Sequence, residues 1–292
     1  MVANGNPTVG RRRLGAELRR LRLIRGLTST QVAEHLLVSQ PKISHLENGR
    51  RSVSSRDVRD LCNLYHVTDQ QVIESLMQMA GEANRQGWWV ACGEVPYAVY
   101  IGLETAAASV RSYEPLVIPG LLQTPAYAAA VTAETIPLAT EEQIAVRREV
   151  RLRRQSRAHH PARSFRLWVV VDESALRRVV GSPEIMREQL ECLNHFGAQP
   201  HITVQVLPHS AGAHPGISGQ FSILDFPDTA TGTVYLERFT SDLYLEKRSD
   251  VRRYRAMYDR LQAQAMDPER SRRIITLATE QLPATASLPG RA

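Results

Sequence analysis

Gln40, Lys42, Ser44 and His45 are polar residues crowded into one short segment, and Ile43 and Leu46, three apart, give that segment an apolar side. In a helix anchored by Ile43 and Leu46, the polar set faces outward. Such a surface can hydrogen-bond base edges and phosphates in a major groove. The Gln40 amide suits adenine, and the Lys42 ammonium suits a phosphate or guanine. Ser44 and His45 add a hydroxyl and an imidazole beside them. Gln31 and Arg50 are placed to hold the phosphate backbone, with Ser39, Asn48 and Arg51 at the margins of the same surface.

The elements that must position this set are legible nearby. Thr28 is a natural N-cap, followed by Val32, Ala33 and Leu36 on one face. Ser39 is placed to cap the next helix, and Pro41 sits in its first turn, where a missing N–H costs little. Asn48-Gly49 stop it. A first helix over Arg11–Arg25 aligns Leu14, Leu18 and Leu21. Arg56–Tyr65 turns Val58, Leu61 and Leu64 inward, and Thr68 is expected to cap a helix carrying Val72, Ile73, Leu76 and Met79. Five helices therefore fill residues 1–80, with a linker over Gly81–Gly87.

An ordinary helical hairpin would show the same apolar spacing, and charge separates the two readings. Residues 1–55 hold ten Lys/Arg against three Glu, a net of +7, whereas residues 56–292 hold 26 basic and 27 acidic residues, a net of −1. The basic excess lies wholly in the segment with the two-helix pattern, as a phosphate-binding surface requires.

The motifs Leu18-Arg19-Arg20-Leu21-Arg22, Gly26-Leu27-Thr28, Gln31-Val32-Ala33, Ser39-Gln40-Pro41-Lys42-Ile43-Ser44 and Leu46-Glu47-Asn48-Gly49 resemble the Xre (phage-repressor-like) helix-turn-helix family over residues 10–75. The resemblance implies that residues 1–80 fold as a DNA-binding domain with double-stranded DNA as partner. Two positions depart from the family pattern. Leu37 stands in the turn where glycine is usual, and His45 follows the recognition-helix serine where many members have arginine.

At 292 residues and 43% hydrophobic, the chain can bury more than one core. No apolar run approaches the ~20 residues of a membrane span. The N-terminus lacks the apolar stretch of a signal peptide. Cys62, Cys92 and Cys192 fit neither a disulfide framework nor a metal site, and a reducing cytoplasm is the expected home.

The region from 88 to 282 reads as a second, α+β domain with a small sheet and several helices, and 283–292 as a disordered tail. Tyr97–Ser112, Thr124–Thr135, Glu141–Arg157, Pro183–Phe196, Asp250–Gln264 and Pro268–Gln281 are expected helices. Phe165–Val171, His201–Leu207, Phe221–Phe226 and Thr233–Glu237 are expected strands. Glu141–Arg157 is strongly basic, with Arg147, Arg151 and Arg154 on one side. That side could be a solvated face, a dock for an acidic partner or a second DNA contact.

Catalytic constellations are weak. Asp172-Glu173 point to opposite faces if extended, so one of them is expected to cap the following helix. His209 and His214 flank a glycine-rich loop without a ligand-spaced Cys or carboxylate, and the loop lacks the Gly-Lys-Ser/Thr ending of a phosphate cradle. No metal, cofactor or catalytic residue is expected.

Tyr113-Glu114-Pro115-Leu116-Val117-Ile118-Pro119-Gly120-Leu121-Leu122-Gln123-Thr124-Pro125, Arg151-Leu152-Arg153-Arg154-Gln155, Gln205-Val206-Leu207-Pro208 and Gly212-Ala213-His214 resemble the C-terminal domain of the actinobacterial WhiJ-like regulators. The resemblance implies a transcriptional regulator and a partner, a small regulatory protein encoded nearby, which the arginine stripe would select as acidic. Arg147, Arg151, Arg154 and His214 are the candidate partner or effector contacts. A homodimer assembled through this domain is expected, because one recognition helix reads too little DNA alone. The competing reading is a small-molecule sensor or enzyme fused to an autoregulatory DNA-binding domain.

Overall fold

The computed structural model describes residues 7–84, 88, 97–135, 140–159, 165–227, 231–238 and 242–283. Cys92, Trp89, residues 85–87 of the expected linker and the expected tail from 284 lie outside them. The chain divides into two compact units, residues 1–106 and 107–292.

The first unit is all-helical: α1 (Pro7–Ile24), α2 (Ser29–His35), α3 (Gln40–Glu47), α4 (Ser55–Leu64), α5 (Gln70–Ala83) and α6 (Ala98–Ala106). Local chemistry sets most of the boundaries. Thr28 and Gln31 close a capping box on α2, and Ser54 and Asp57 close another on α4. Asp69 rather than Thr68 caps α5, its carboxylate accepting from the Gln71 and Val72 amides. The charged oxygen outcompetes the neighbouring hydroxyl at a helix N-terminus. Ser39 sits at the N-cap of α3 but makes no cap hydrogen bond. Leu14, Leu18, Val32, Ile43, Leu46, Val58 and Leu61 bury together as the core, and α1 packs against α3, α5 and α6.

The second unit carries a six-stranded sheet: β1 (Ser109–Glu114), β2 (Arg166–Asp172), β3 (Ile202–Leu207), β4 (Phe221–Asp225), β5 (Thr233–Leu236) and β6 (Leu243–Leu245), in the order β3-β2-β1-β4-β5-β6. β1, β2 and β3 are parallel, and β4, β5 and β6 extend the sheet antiparallel. α7 (Pro125–Thr135) and α8 (Glu141–His159) join β1 to β2, and α9 (Glu173–Arg177) and α10 (Pro183–Phe196) join β2 to β3. α11 (Arg248–Gln264) covers one face, where Tyr113, Val170, Phe221, Ile223 and Val234 meet Val251, Tyr258 and Leu261. α12 (Pro268–Glu280) packs on α10 and along β3. Its Ser271 Oγ and the Met266 amide take the Val206 N–H and carbonyl, which closes that sheet edge.

Two strands escape the sequence reading. Ser109–Glu114 ends what was expected as a helix over Tyr97–Ser112, and it is a central strand; Leu243–Leu245 is the short outer one.

Candidate nucleic-acid interface

α3 is fixed from behind. Ile43 and Leu46 are buried, and so is the acidic end of the helix at Glu47. The Glu47 carboxylate receives Arg22 Nε at 2.6 Å and Nη2 at 2.8 Å, while Nη1 donates to the Leu27 carbonyl at 2.6 Å. This bidentate pair, with side chains 9% and 7% exposed, ties α1, the start of the α2 loop and α3 into one arrangement. Gly15 lets α1 approach closely: a Cβ there would lie 2.5 Å from the carbonyl oxygens of both Leu46 and Glu47. Gly49, at φ +64°, ends α3 in the left-handed conformation, and a Cβ on it would meet the Arg12 backbone at 2.8 Å.

With its rear held, α3 presents Gln40 and His45 exposed and Ser44 half-exposed. Gln40 Nε2 donates to Ser29 Oγ at 3.1 Å, and Asn48 Nδ2 to Ser44 Oγ at 3.3 Å, so the polar surface is internally ordered. Gln31 is exposed and spends Oε1 on the Thr28 amide at 2.8 Å, which leaves its NH2 group as the end that suits a phosphate oxygen. Ser39, Arg50 and Arg51 are exposed around the same surface. Lys42 is different: its Nζ lies 3.2 Å from Asp57 Oδ1, a half-buried pair linking α3 to the cap of α4. A phosphate or guanine contact from Lys42 would share its ammonium with that pair.

The basic excess is thus partly structural. Arg22 is committed to Glu47, and Arg25 donates to the Tyr65 and His66 carbonyls at the end of α4. Sequence pattern misses both, because their partners lie 25 and about 40 positions away.

Leu37 solves the turn without glycine. It sits at φ +54° and 93% exposed, while the Val38 amide reaches back to the Ala33 carbonyl at 2.9 Å and the Leu37 amide to Glu34 at 3.2 Å. This is a Schellman closure built on a strained residue. Leu37→Gly is expected to stabilise the helical unit by ~0.5–1 kcal/mol, by relieving that strain. A thermal melt of the variant shifted upward by a few degrees checks it.

In the second unit, Arg147, Arg151 and Arg154 share one side of α8 as the spacing predicts, and that side is half-buried against the domain. Arg151 Nη1 donates to Gln123 Oε1, and the Arg154 guanidinium lies over Gly120. Gln155, Gln189 and Tyr127 satisfy the backbone of the adjoining loop 118–124, through the carbonyls of Gly120, Leu122 and Gln123 and the amides of Ile118 and Thr124. His214 is also turned inward. Its Nδ1 accepts from the Gly216 amide at 3.2 Å, and its Nε2 lies 3.9 Å from Asp172 Oδ2. Asp172 caps α9 through the Ser174 amide at 2.9 Å. Ser174 Oγ is 2.9 Å from His209 Nε2, and Glu173 Oε2 stands 3.9 Å from His209 Nδ1, beyond hydrogen-bond reach. Stretch 208–220 carries the chain across the ends of β2 and β1 to β4, and this polar cluster pins it there.

Comparison with known families accounts for both units. Residues 13–76 match a helix-turn-helix domain, and residues 97–277 match a domain of unknown function, DUF5753. The chain belongs to the DUF5753 family. No curated protein and no solved structure matches it.

The DUF5753 match begins one residue before α6, whereas packing groups α6 with the helical unit. The helix-turn-helix match covers α2 and α3 and the Arg22–Glu47 pair that fixes them. This is the domain of a DNA-binding regulator, and DNA is its partner. Among the described residues no helix is long and apolar enough to cross a membrane, and no group of three or more His, Cys, Asp or Glu is placed to hold a metal.

Proposed function

We propose that this DUF5753 protein is a sequence-specific transcriptional regulator of the WhiJ-like kind, acting in the cytoplasm, and that its C-terminal domain binds an effector and pairs two copies on DNA. The reading rests on one observation: α3 is locked from behind by Arg22–Glu47 and Gly15, while Gln40 and His45 stand exposed on its outer side. Gln40 reads a base, with Ser44 and His45 beside it. Gln31, Ser39, Asn48, Arg50 and Arg51 engage the backbone. Gln40→Ala is expected to cost ~1–3 kcal/mol on operator DNA and much less on random DNA. Equal losses on both, measured by titration at one salt concentration, would show that Gln40 does not read sequence.

The resemblance to WhiJ-like regulators supports a small partner protein, and the charge of Arg147, Arg151 and Arg154, with His214 nearby in the same unit, supports an acidic one. The inward turn of those side chains favours an effector that enters the domain over a protein lying on α8. Binding without catalysis is the reading that best suits the geometry around His209, where the third partner of a triad is out of range. Pairing through residues 107–292 would set two α3 helices about one DNA turn apart, roughly 34 Å. Sedimentation of the full chain at micromolar concentration should give a dimer; a clean monomer refutes this part.

A further inference from the structure

One face of the sheet changes character along its width. β2 and β3 present Leu167, Val169, Val171, Ile202, Val204 and Val206 there, all nearly fully buried. On the same face, β1, β4, β5 and β6 carry a polar row of Ser112, Ser222, Tyr235 and Tyr244, each opposite the next. Two residues further along each chain, at the strand ends just beyond the last paired positions, the alternation continues with Glu114, Gln220, Glu237 and Asp242. Three carboxylates thus stand in one row, on strands about 4.8 Å apart where adjacent.

Their compensation is unequal. Asp242 accepts from the phenols of Tyr235 at 3.0 Å and Tyr244 at 3.4 Å. Glu237 accepts from Gln220 Nε2 at 3.2 Å and lies in the field of Arg154 and Arg151. Around Glu114 stand Glu237, Ser112 and, from α7, Tyr127, which itself feels Arg178 and Arg151. Burial first, then the like charge of Glu237, pushes the Glu114 carboxyl up to about 8. Ser112 is 3% exposed on this same face, and its Oγ makes no hydrogen bond of ordinary geometry. Glu237 is exposed and Glu114 half-buried.

Crowded carboxylates beside a buried hydroxyl that meets Glu114 only with poor hydrogen-bond geometry cost stability, and such costs concentrate where a ligand is bound. We propose that this row is a binding site for a small amine-bearing ligand whose ammonium lodges between Glu114 and Glu237. Ser112 Oγ accepts one of its N–H bonds, and Arg151 and Arg154 at the α8 side receive any carboxylate the ligand carries. The ammonium takes the place of the proton on Glu114. The proposal names the chemistry of the effector and rests on the effector reading above only for its link to DNA.

The test titrates the full chain with putrescine and with L-lysine by calorimetry, from about pH 6 to about pH 9, in buffers of different ionisation enthalpy. Binding should release up to one proton near neutrality, and affinity should rise roughly tenfold per unit of pH until Glu114 is ionised, then level off. E114Q should abolish the proton release and the pH dependence, and E237Q should weaken binding at every pH. Because Glu114 is held neutral in the fold, its ionisation penalises stability as pH rises from its unfolded value toward about 8, so E114Q should melt no lower than the parent in alkaline buffer. That melt separates a lost site from a lost fold. Failure of both probes to bind at millimolar concentration, or a pH dependence unchanged in E114Q, overturns the proposal. If the probes bind as expected and operator affinity does not move, the site stands and the effector reading falls.

Discussion

Replacing Glu47 with alanine is expected to remove about 3–5 kcal/mol from the helical unit, a large part of the stability of a small domain. The loss comes less from the missing attraction than from what is left behind. Arg22 stays charged, its side chain is only 9% exposed, and two of its N–H groups lose a carboxylate with nothing to replace it. Surface pairs such as Arg56–Asp60, with side chains 91% and 47% exposed, give the contrast, and breaking that one should change stability by well under ~1 kcal/mol. A double replacement, Arg22→Met with Glu47→Leu, removes both charges and should recover most of the loss, as buried pairs replaced by apolar side chains often do. Denaturant titration of the three variants checks the ordering. A single mutant as stable as the parent would mean that water reaches Arg22 and that the pair does not hold α3. Operator binding should follow stability in the single mutant and return in the double, because neither residue faces DNA.

How much of this was legible depends on the range over which each feature is determined. Caps and apolar stripes act within four or five residues, and Thr28, Asp172, Leu14, Leu18 and Ile43 announce their elements. β1 does not. It is paired on both sides and covered on both faces, so Val110 and Tyr113 point to opposite layers, with Arg111 and Ser112 between them, and no alternation survives. The arginine stripe of α8 shows a different limit. Spacing groups Arg147, Arg151 and Arg154 on one side correctly, but it cannot say whether that side meets water or the loop 118–124. The carboxylate row is beyond pattern altogether, since Glu114, Glu237 and Asp242 come together only through strand register. The Arg22–Glu47 pair is likewise set by the packing of α1 on α3.

That packing makes Gly15→Ala the second large effect expected. Glycine in the middle of a helix is ordinarily a weakness worth up to about 1 kcal/mol against alanine, so propensity alone predicts that the substitution stabilises α1. The tertiary structure predicts the opposite. An alanine Cβ would stand 2.5 Å from two carbonyl oxygens and 2.8 Å from the Glu47 carbonyl carbon, all backbone atoms of α3 that no side-chain rotation can move aside. Relief requires α1 and α3 to separate, which stretches the Arg22–Glu47 hydrogen bonds and loosens Leu14 and Leu18 against Ile43 and Leu46. Overpacking of this kind costs roughly 1–3 kcal/mol and more where backbone must shift. Because α3 carries the reading surface, the loss should appear twice, as a lower melting temperature and as weaker operator binding even at temperatures where the unit remains folded. Gly10→Ala on the same helix is the control. Its Cβ would lie 3.4 Å from the Ala83 backbone, near ordinary contact, and there the helix-propensity gain should offset most of the crowding. Equal behaviour of the two variants would mean that close approach at Gly15 does not set the position of the recognition helix.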